Sequence, residues 1–290
     1  MHLSADQRHS IQQLIRDCGQ QAQRMAVEKF QVYEKGRDDY VTDVDRALDA
    51  QLTEGFSQLF PQDGVITEEN SASWQILGQD DRRLWLIDPI DGTDDFIQGK
   101  PHYSVMVGLL AAHQPIAGWV YAPEFDQLYC GGKGWSSEGD LFQRSGEEEL
   151  TPLIPTLPAP LSKTSCPMLM GYKDQRRYGQ AITQLIPGVQ FDCIGSFGLK
   201  VMRVICGQAG LYVYLNGRVK LWDTVGPLAL AQAAGLVCCD LEGNPLQFTP
   251  DALNLTSLAH RQPILIGWAS YVEALRSPLK QAIALTNDSH

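Results

Sequence analysis

Leu84-Trp85-Leu86-Ile87 is an apolar run without a polar break, and it leads directly into Asp88-Pro89-Ile90-Asp91-Gly92-Thr93. So short a run, rich in branched and aromatic side chains, predicts a buried strand that ends in two carboxylates. Pro89 fixes its own φ and offers no N–H, which stiffens the turn, and Gly92 leaves the backbone bare for close approach. Thr93, Asp94 and Asp95 suit the first turn of a following helix. Carboxylates this close repel one another unless a cation lies between them, and hard divalent cations take oxygen ligands. The helix start beside them presents N–H groups to an anion such as phosphate. Cation and phosphate in one place point to metal-assisted phosphoryl chemistry. A lone Asp-Gly-Thr would be an acidic turn that caps a helix. The full combination of Asp88, Pro89, Asp91, Gly92 and Thr93 favours the functional reading.

The remaining periodicities frame this turn. Ser4 with Gln7 reads as a capping box before Ile11, Leu14, Ile15, Cys18, Ala22 and Met25 at helical spacing. A polar loop through Lys35-Gly36-Arg37-Asp38-Asp39 follows, and Thr42 caps a second helix with Asp45 in its first turn. Asp45 alone could be a plain helix-start aspartate, and Glu68-Glu69, delivered by the short strand Val65-Ile66, could be solvated surface. Strands at Ser104–Leu110, Ile116–Tyr121 and Gln127–Cys130 form an antiparallel meander that Gly131, Gly132 and Gly134 are expected to end. Residues 145–163 bring a glutamate run and then Pro152, Pro155, Pro158 and Pro160, which predicts a linker. Beyond it, strand and helix patterns alternate, with a closing strand at Ile264–Ile266 and a last helix at Tyr271–Ala284. Asp223 is placed just before one of these helices, where a plain N-cap is the simple reading. The pattern alone gives α plus β in two lobes, an α+β metal-binding lobe over residues 1–146 and an α/β lobe over 160–290.

A formal net charge of −11 argues against a nucleic-acid polymer or an anionic membrane as partner, but not against a small anion met by metal ions. The seven cysteines show no CxxC spacing, and read as buried hydrophobes in a reduced compartment. Apolar runs such as 104–112 are too short to span a membrane, and the N-terminus lacks a secretory pattern, so the expected location is cytoplasmic.

Asp88-Pro89-Ile90-Asp91-Gly92-Thr93 resembles the DPIDGT signature of the inositol monophosphatase superfamily of magnesium-dependent, lithium-sensitive phosphatases. Trp222-Asp223-Thr224 resembles its second signature, and Val41-Thr42-Asp43-Val44-Asp45 and Thr67-Glu68-Glu69 its two upstream acidic elements, in the family's order. The resemblance implies a layered αβαβα sandwich of the inositol monophosphatase/fructose-1,6-bisphosphatase type, and a homodimer as a family expectation. It implies two or three Mg2+ ions held by Glu68, Asp88, Asp91, Asp223 and the Ile90 carbonyl around a phosphate ester of a small molecule. Glu68 serves the ion that activates water, Thr93 with Asp45 removes the water's proton, and the Gly92 and Thr93 amides hold phosphate oxygens. On this basis Asp91→Asn is expected to abolish turnover with the fold intact.

Asp95 in the DGT-x-x-F stretch, and Gly195-Ser196-Phe197-Gly198-Leu199-Lys200, are similar to the 3′(2′),5′-bisphosphate nucleotidases within that family. Asp94, where those enzymes carry Lys, and Tyr40, where a proline commonly precedes the first acidic element, depart from the pattern. Ser196, Lys200 and Lys220 are thereby expected at the substrate, with Arg218 a further cation for a second phosphate, and Tyr172 and Lys173 are candidates to meet a base or sugar. The implied activity is hydrolysis of adenosine 3′,5′-bisphosphate. The alternatives are an inositol monophosphatase or broad sugar-phosphate phosphatase, and a catalytically silent relative that binds a metabolite.

Overall fold

In the computed structural model, which describes residues 3–36, 39–79 and 82–287, Ser4 and Gln7 cap one another at the start of α1 (Ala5–Ala26). Its apolar stripe, Ile11, Ile15, Cys18 and Ala22, is fully buried. The expected polar loop is part of a hairpin instead. β1 (Val32–Gly36) pairs antiparallel with β2 (Asp39–Thr42), and Arg37 and Asp38 lie outside the described residues. β1 is exposed along its whole length, so no alternation marked it. Thr42 then caps α2 (Asp43–Leu59).

β3 (Gly64–Thr67) lies parallel to β4 (Leu84–Asp91), which runs through both aspartates rather than stopping before them, with a register break between Asp88 and Asp91. After the short α3 (Thr93–Ile97) the sheet continues antiparallel through β5 (Ser104–Ala111), β6 (Gln114–Ala122), β7 (Gln127–Ser136), β8 (Gly139–Ser145) and β9 (Thr151–Pro152). Gly131, Gly132 and Gly134 do not end the meander, because all three lie inside β7. A Cβ at Gly131 would sit 2.1 Å from the Asp140 carbonyl oxygen, so this glycine admits the neighbouring strand at a register slip.

Of the linker expected over residues 145–163, Ser145 ends β8 and Thr151–Pro152 form β9, so it is residues 153–165 that carry the chain to a second sheet. Its elements follow as β10 (Cys166–Met170), α4 (Tyr172–Leu185), β11 (Val189–Cys193), α5 (Phe197–Ile205), β12 (Leu211–Tyr214), α6 (Leu221–Ala233) and β13 (Val237–Cys239). A small pair, β14 (Leu253–Asn254) and β15 (Ala259–His260), precedes β16 (Ile264–Gly267) and α7 (Ala269–Asn287). Strand order in the second sheet is β11-β10-β12-β16-β13. β16, the closing strand expected at Ile264–Ile266, is thus an interior strand of the sheet, antiparallel to both neighbours.

Alternation along the strands sorts side chains among three cores. Trp85, Ile87, Val107 and Trp119 pack against α1 and α2, whereas Leu86, Met106 and Val120 share a core with α5, α6 and one face of the second sheet. Leu211, Val213 and Leu265 on the opposite face of that sheet pack with Ile182 of α4 and Leu279 of α7. The layers are α, β, α, β, α, as the resemblance implied. Among the described residues no helix is long and apolar enough to cross a membrane.

One ion-pair cluster pins α1 to the turn after β6. The Arg16 side chain, 7% exposed, donates to Asp126 at 3.0 and 3.3 Å and to Glu147 at 2.7 Å. Arg16 holds the Asp126 carboxyl below its ordinary value. Arg16→Met is expected to lower stability at pH 7 by about 1–2 kcal/mol, kept small because Asp126 is partly solvated. A depressed folded-state value contributes stability that is fully present above the unfolded carboxylate pKa of about 4 and is lost as pH falls from there through the lower folded-state value. Denaturant titrations at pH 7 and pH 3 should therefore show the difference between the two proteins shrinking at the lower pH.

Candidate active site

The turn after β4 is built around Asp91. Its carboxylate accepts from the backbone N–H groups of Phe197 and Gly198 at 2.8 and 2.9 Å, from the Ser104 hydroxyl at 3.1 Å, and from the Ser196 hydroxyl. The first turn of α5 is thus clamped onto the end of β4. Gly92 has φ +96°, and a Cβ there would lie 2.9 Å from Ser196 N and 3.0 Å from His102 O. What approaches its bare backbone is the α5 segment. Ser196 is fully buried and also caps α5 through Leu199 N at 2.9 Å. Its hydroxyl is engaged by these partners, and Ser196 is not among the residues that line the cleft described below.

Asp88, Asp91 and Asp223 bring carboxylate oxygens within 4.8 Å of one another. Asp223 lies inside the first turn of α6, not before it, and accepts from Lys220 N at 2.6 Å. Burial and then the charges of Glu68, Asp91 and Asp223 raise the Asp88 carboxyl well above its ordinary value. Burial and Glu68 push Asp223 up to about 7. Asp88 Oδ1 is buried with no hydrogen-bond partner. An orphaned acceptor among repelling, oxygen-only groups fits a hard divalent cation, and the absence of His and Cys from the set disfavours zinc.

Glu68 stands at the end of β3, its N–H bonded to the Ile87 carbonyl of β4 at 3.1 Å. It is held together with Glu69 by Lys35, whose ammonium lies 2.9 Å from Glu68 and 2.8 Å from Glu69. Lys35 went unnoticed in the sequence because an exposed hairpin residue among polar neighbours carries no pattern.

Asp45, 1% exposed, accepts from Thr42 N at 2.8 Å and from the Thr42 hydroxyl, so it is both a helix-cap partner and a neighbour of the turn. Thr93 Oγ1 lies 3.4 Å from Asp45 Oδ1 and 3.0 Å from the Ile90 carbonyl oxygen. Burial outweighs the Thr42 hydrogen bonds and pushes Asp45 up to about 6, which leaves it largely a carboxylate at neutral pH.

A cleft of about 590 Å3 opens over Asp91 and Asp223 and extends along α4 to Tyr172, Lys173 and Arg176. That volume is ordinary for a small-molecule site. Lys200 lines it although only 2% exposed. Its ammonium donates to the Ile194 and Gly195 carbonyls at 2.9 and 2.7 Å, and burial pulls it down to about 8. Lys220 and Arg218 also line the cleft, and the Lys220 ammonium stands 3.9 Å from both Asp39 and Glu68. Asp95, in the first turn of α3, is fully buried and ties Gly195 N at 2.7 Å to Lys100 at 3.1 Å.

A model of the inositol monophosphatase family matches residues 6–274. The 3′(2′),5′-bisphosphate nucleotidase CysQ of Escherichia coli K12 is 31% identical over 242 residues, covering 82% of this chain and 92% of that protein. An inositol monophosphatase of Mesembryanthemum crystallinum is 28% identical over 257 residues, covering 86% and 87%. Among solved structures, the extragenic suppressor protein suhB from Bartonella henselae superposes with a TM-score of 0.75 over 94% of this chain and 98% of that one. At 21% identity that likeness carries the fold alone.

Proposed function

The chain belongs to the inositol monophosphatase family and is a phosphoric monoester hydrolase, and from that premise we propose that it is a Mg2+-dependent 3′(2′),5′-bisphosphate nucleotidase that removes the 3′-phosphate of adenosine 3′,5′-bisphosphate. The observation that carries the reading is the cleft, which continues from the buried carboxylates to a wall of cations and aromatic side chains larger than a phosphate needs. The E. coli relative is named for this activity, and Asp95, which resembles the acidic residue of such enzymes at this place, is spent on fixing one of those cations, Lys100. With seven free thiols, we place the protein in the cytoplasm.

Glu68, Asp88, Asp91, Asp223 and the Ile90 carbonyl would hold two or three ions, which when bound activate water and neutralise phosphoryl charge. Thr93 Oγ1 carries one proton and has two acceptors in reach. Donated to Asp45, that proton leaves the hydroxyl's lone pairs to accept one from an attacking water. The Gly92 and Thr93 N–H groups would hold the phosphate oxygens of a bound substrate. Lys35 holds Glu68 and Glu69 apart from their mutual repulsion.

Phosphate release with Mg2+ decides the substrate. Adenosine 3′,5′-bisphosphate is expected to exceed inositol 1-phosphate by about 100-fold or more in kcat/KM, the scale of discrimination that polar recognition supplies. The opposite preference would make the chain an inositol monophosphatase, and turnover of no phosphomonoester would make it a silent binding relative.

A further inference from the structure

Tyr172 is the first residue of α4, directly after the N-cap Gly171, and it is 42% exposed in the wall of the cleft. That exposure leaves the side chain accessible from the cleft. The ring is nevertheless fixed. The Lys100 ammonium lies 4.8 Å from its centroid, covering one face. That ammonium is itself held 3.1 Å from Asp95 Oδ1, and Asp95, with its side chain 1% exposed, is anchored by Gly195 N at 2.7 Å. Asp95 belongs to α3, which begins at Thr93. A rigid chain of contacts therefore runs from the reacting turn to the aromatic ring at the far wall. Arg176, one helical turn beyond Tyr172, lines the same wall.

We propose that Tyr172, braced by Lys100 and Asp95, is the platform on which the aromatic base of a nucleotide substrate stacks, and that this contact separates nucleotide from polyol phosphates. The inference rests on the phosphomonoesterase reading above and names the feature of the substrate that this wall selects. Every nucleobase has a π-face and a polyol has none, so the platform adds affinity for one class only. The Lys100 ammonium over the ring keeps it from rotating away, which lowers the entropy cost of stacking. Lys100 and Asp95 act as positioning residues, since neither is required to touch the base.

The test uses full-length enzyme with Mg2+ and compares adenosine 3′,5′-bisphosphate with two base-free esters, inositol 1-phosphate and ribose 5-phosphate. Tyr172→Ala is expected to raise KM for the nucleotide about 10-fold, with kcat within about twofold and the base-free esters unaffected. Tyr172→Phe, which keeps the ring, is expected to restore the nucleotide KM. Asp95→Asn, which releases Lys100, is expected to raise the nucleotide KM by a smaller factor. An equal KM rise for all three esters, or no rise for the nucleotide, overturns the platform while leaving the nucleotidase reading standing. A wild-type enzyme that does not hydrolyse the nucleotide at all overturns both.

Discussion

Asp88→Asn is expected to abolish turnover, by about 1,000-fold or more, while leaving the metal-free protein at least as stable as the wild type. Asp88 Oδ1 is buried without a donor, and the carboxyl is raised well above its ordinary value by burial and by Glu68, Asp91 and Asp223. An amide of the same shape removes that repulsion, and its N–H groups find acceptors among the oxygens of Asp91 and Asp223 within the 4.8 Å cluster. What the amide cannot do is supply an anionic oxygen to a divalent ion. The rise in melting temperature that Mn2+ gives the wild type should therefore vanish in the variant, whereas its melting temperature in EDTA should equal or exceed that of the wild type. Retention of a tenth of the activity would remove Asp88 from the ion-binding set. Asp91→Asn is the poorer variant, contrary to what the sequence alone suggested. Its amide would meet the N–H groups of Phe197 and Gly198 and two serine hydroxyls with a donor, and the start of α5 would loosen with it.

The contrast between these two aspartates shows what a sequence can carry. Asp88 and Asp91 were readable as a candidate cation site because charge at a strand end has few structural uses, and because Pro89 and Gly92 narrow the turn, whereas Glu68 and Asp223 joined them only through the family resemblance. Helices α1 and α2 were readable because their caps and apolar stripes are local. The partners of those acids were not. Phe197 and Gly198 reach Asp91 across more than a hundred residues, and Lys35 reaches Glu68 from an exposed hairpin with no periodicity. Ser196 lay in a motif that pointed at substrate, and its burial against Asp91 carried no local signal. The strand pattern likewise announced β16 without its neighbours, since pairing order is a property of the fold and not of the segment.

A further piece of fold that no periodicity announces is a seam of three glycines, and it carries the second large effect. Gly108 of β5 and Gly118 of β6 pair opposite one another, and α6 crosses them at Gly226. A Cβ at Gly118 would stand 2.0 Å from the Gly226 carbonyl oxygen, and one at Gly108 would stand 2.3 Å from Gly226 N. Both obstacles are helix backbone, which cannot turn aside as a side chain does. Gly118→Ala must therefore lift α6 from the sheet, and α6 carries Asp223 in its first turn, three residues before Gly226. The expected loss of stability is about 2–3 kcal/mol, the cost of overpacking a closed interface. The expected loss of kcat is about 10- to 100-fold, because a carboxylate shifted by a fraction of an ångström misplaces what it holds. Urea unfolding, phosphate release and Mn2+ affinity measured on the same preparation check all three consequences together. Gly36→Ala, at an exposed strand position with no atom within 4 Å of the added methyl, is the matched control and should leave stability within about 0.5 kcal/mol. If Gly118→Ala behaved like that control, the close seating of α6 on the first sheet would be wrong, and the position of Asp223 in the site would lose its structural cause.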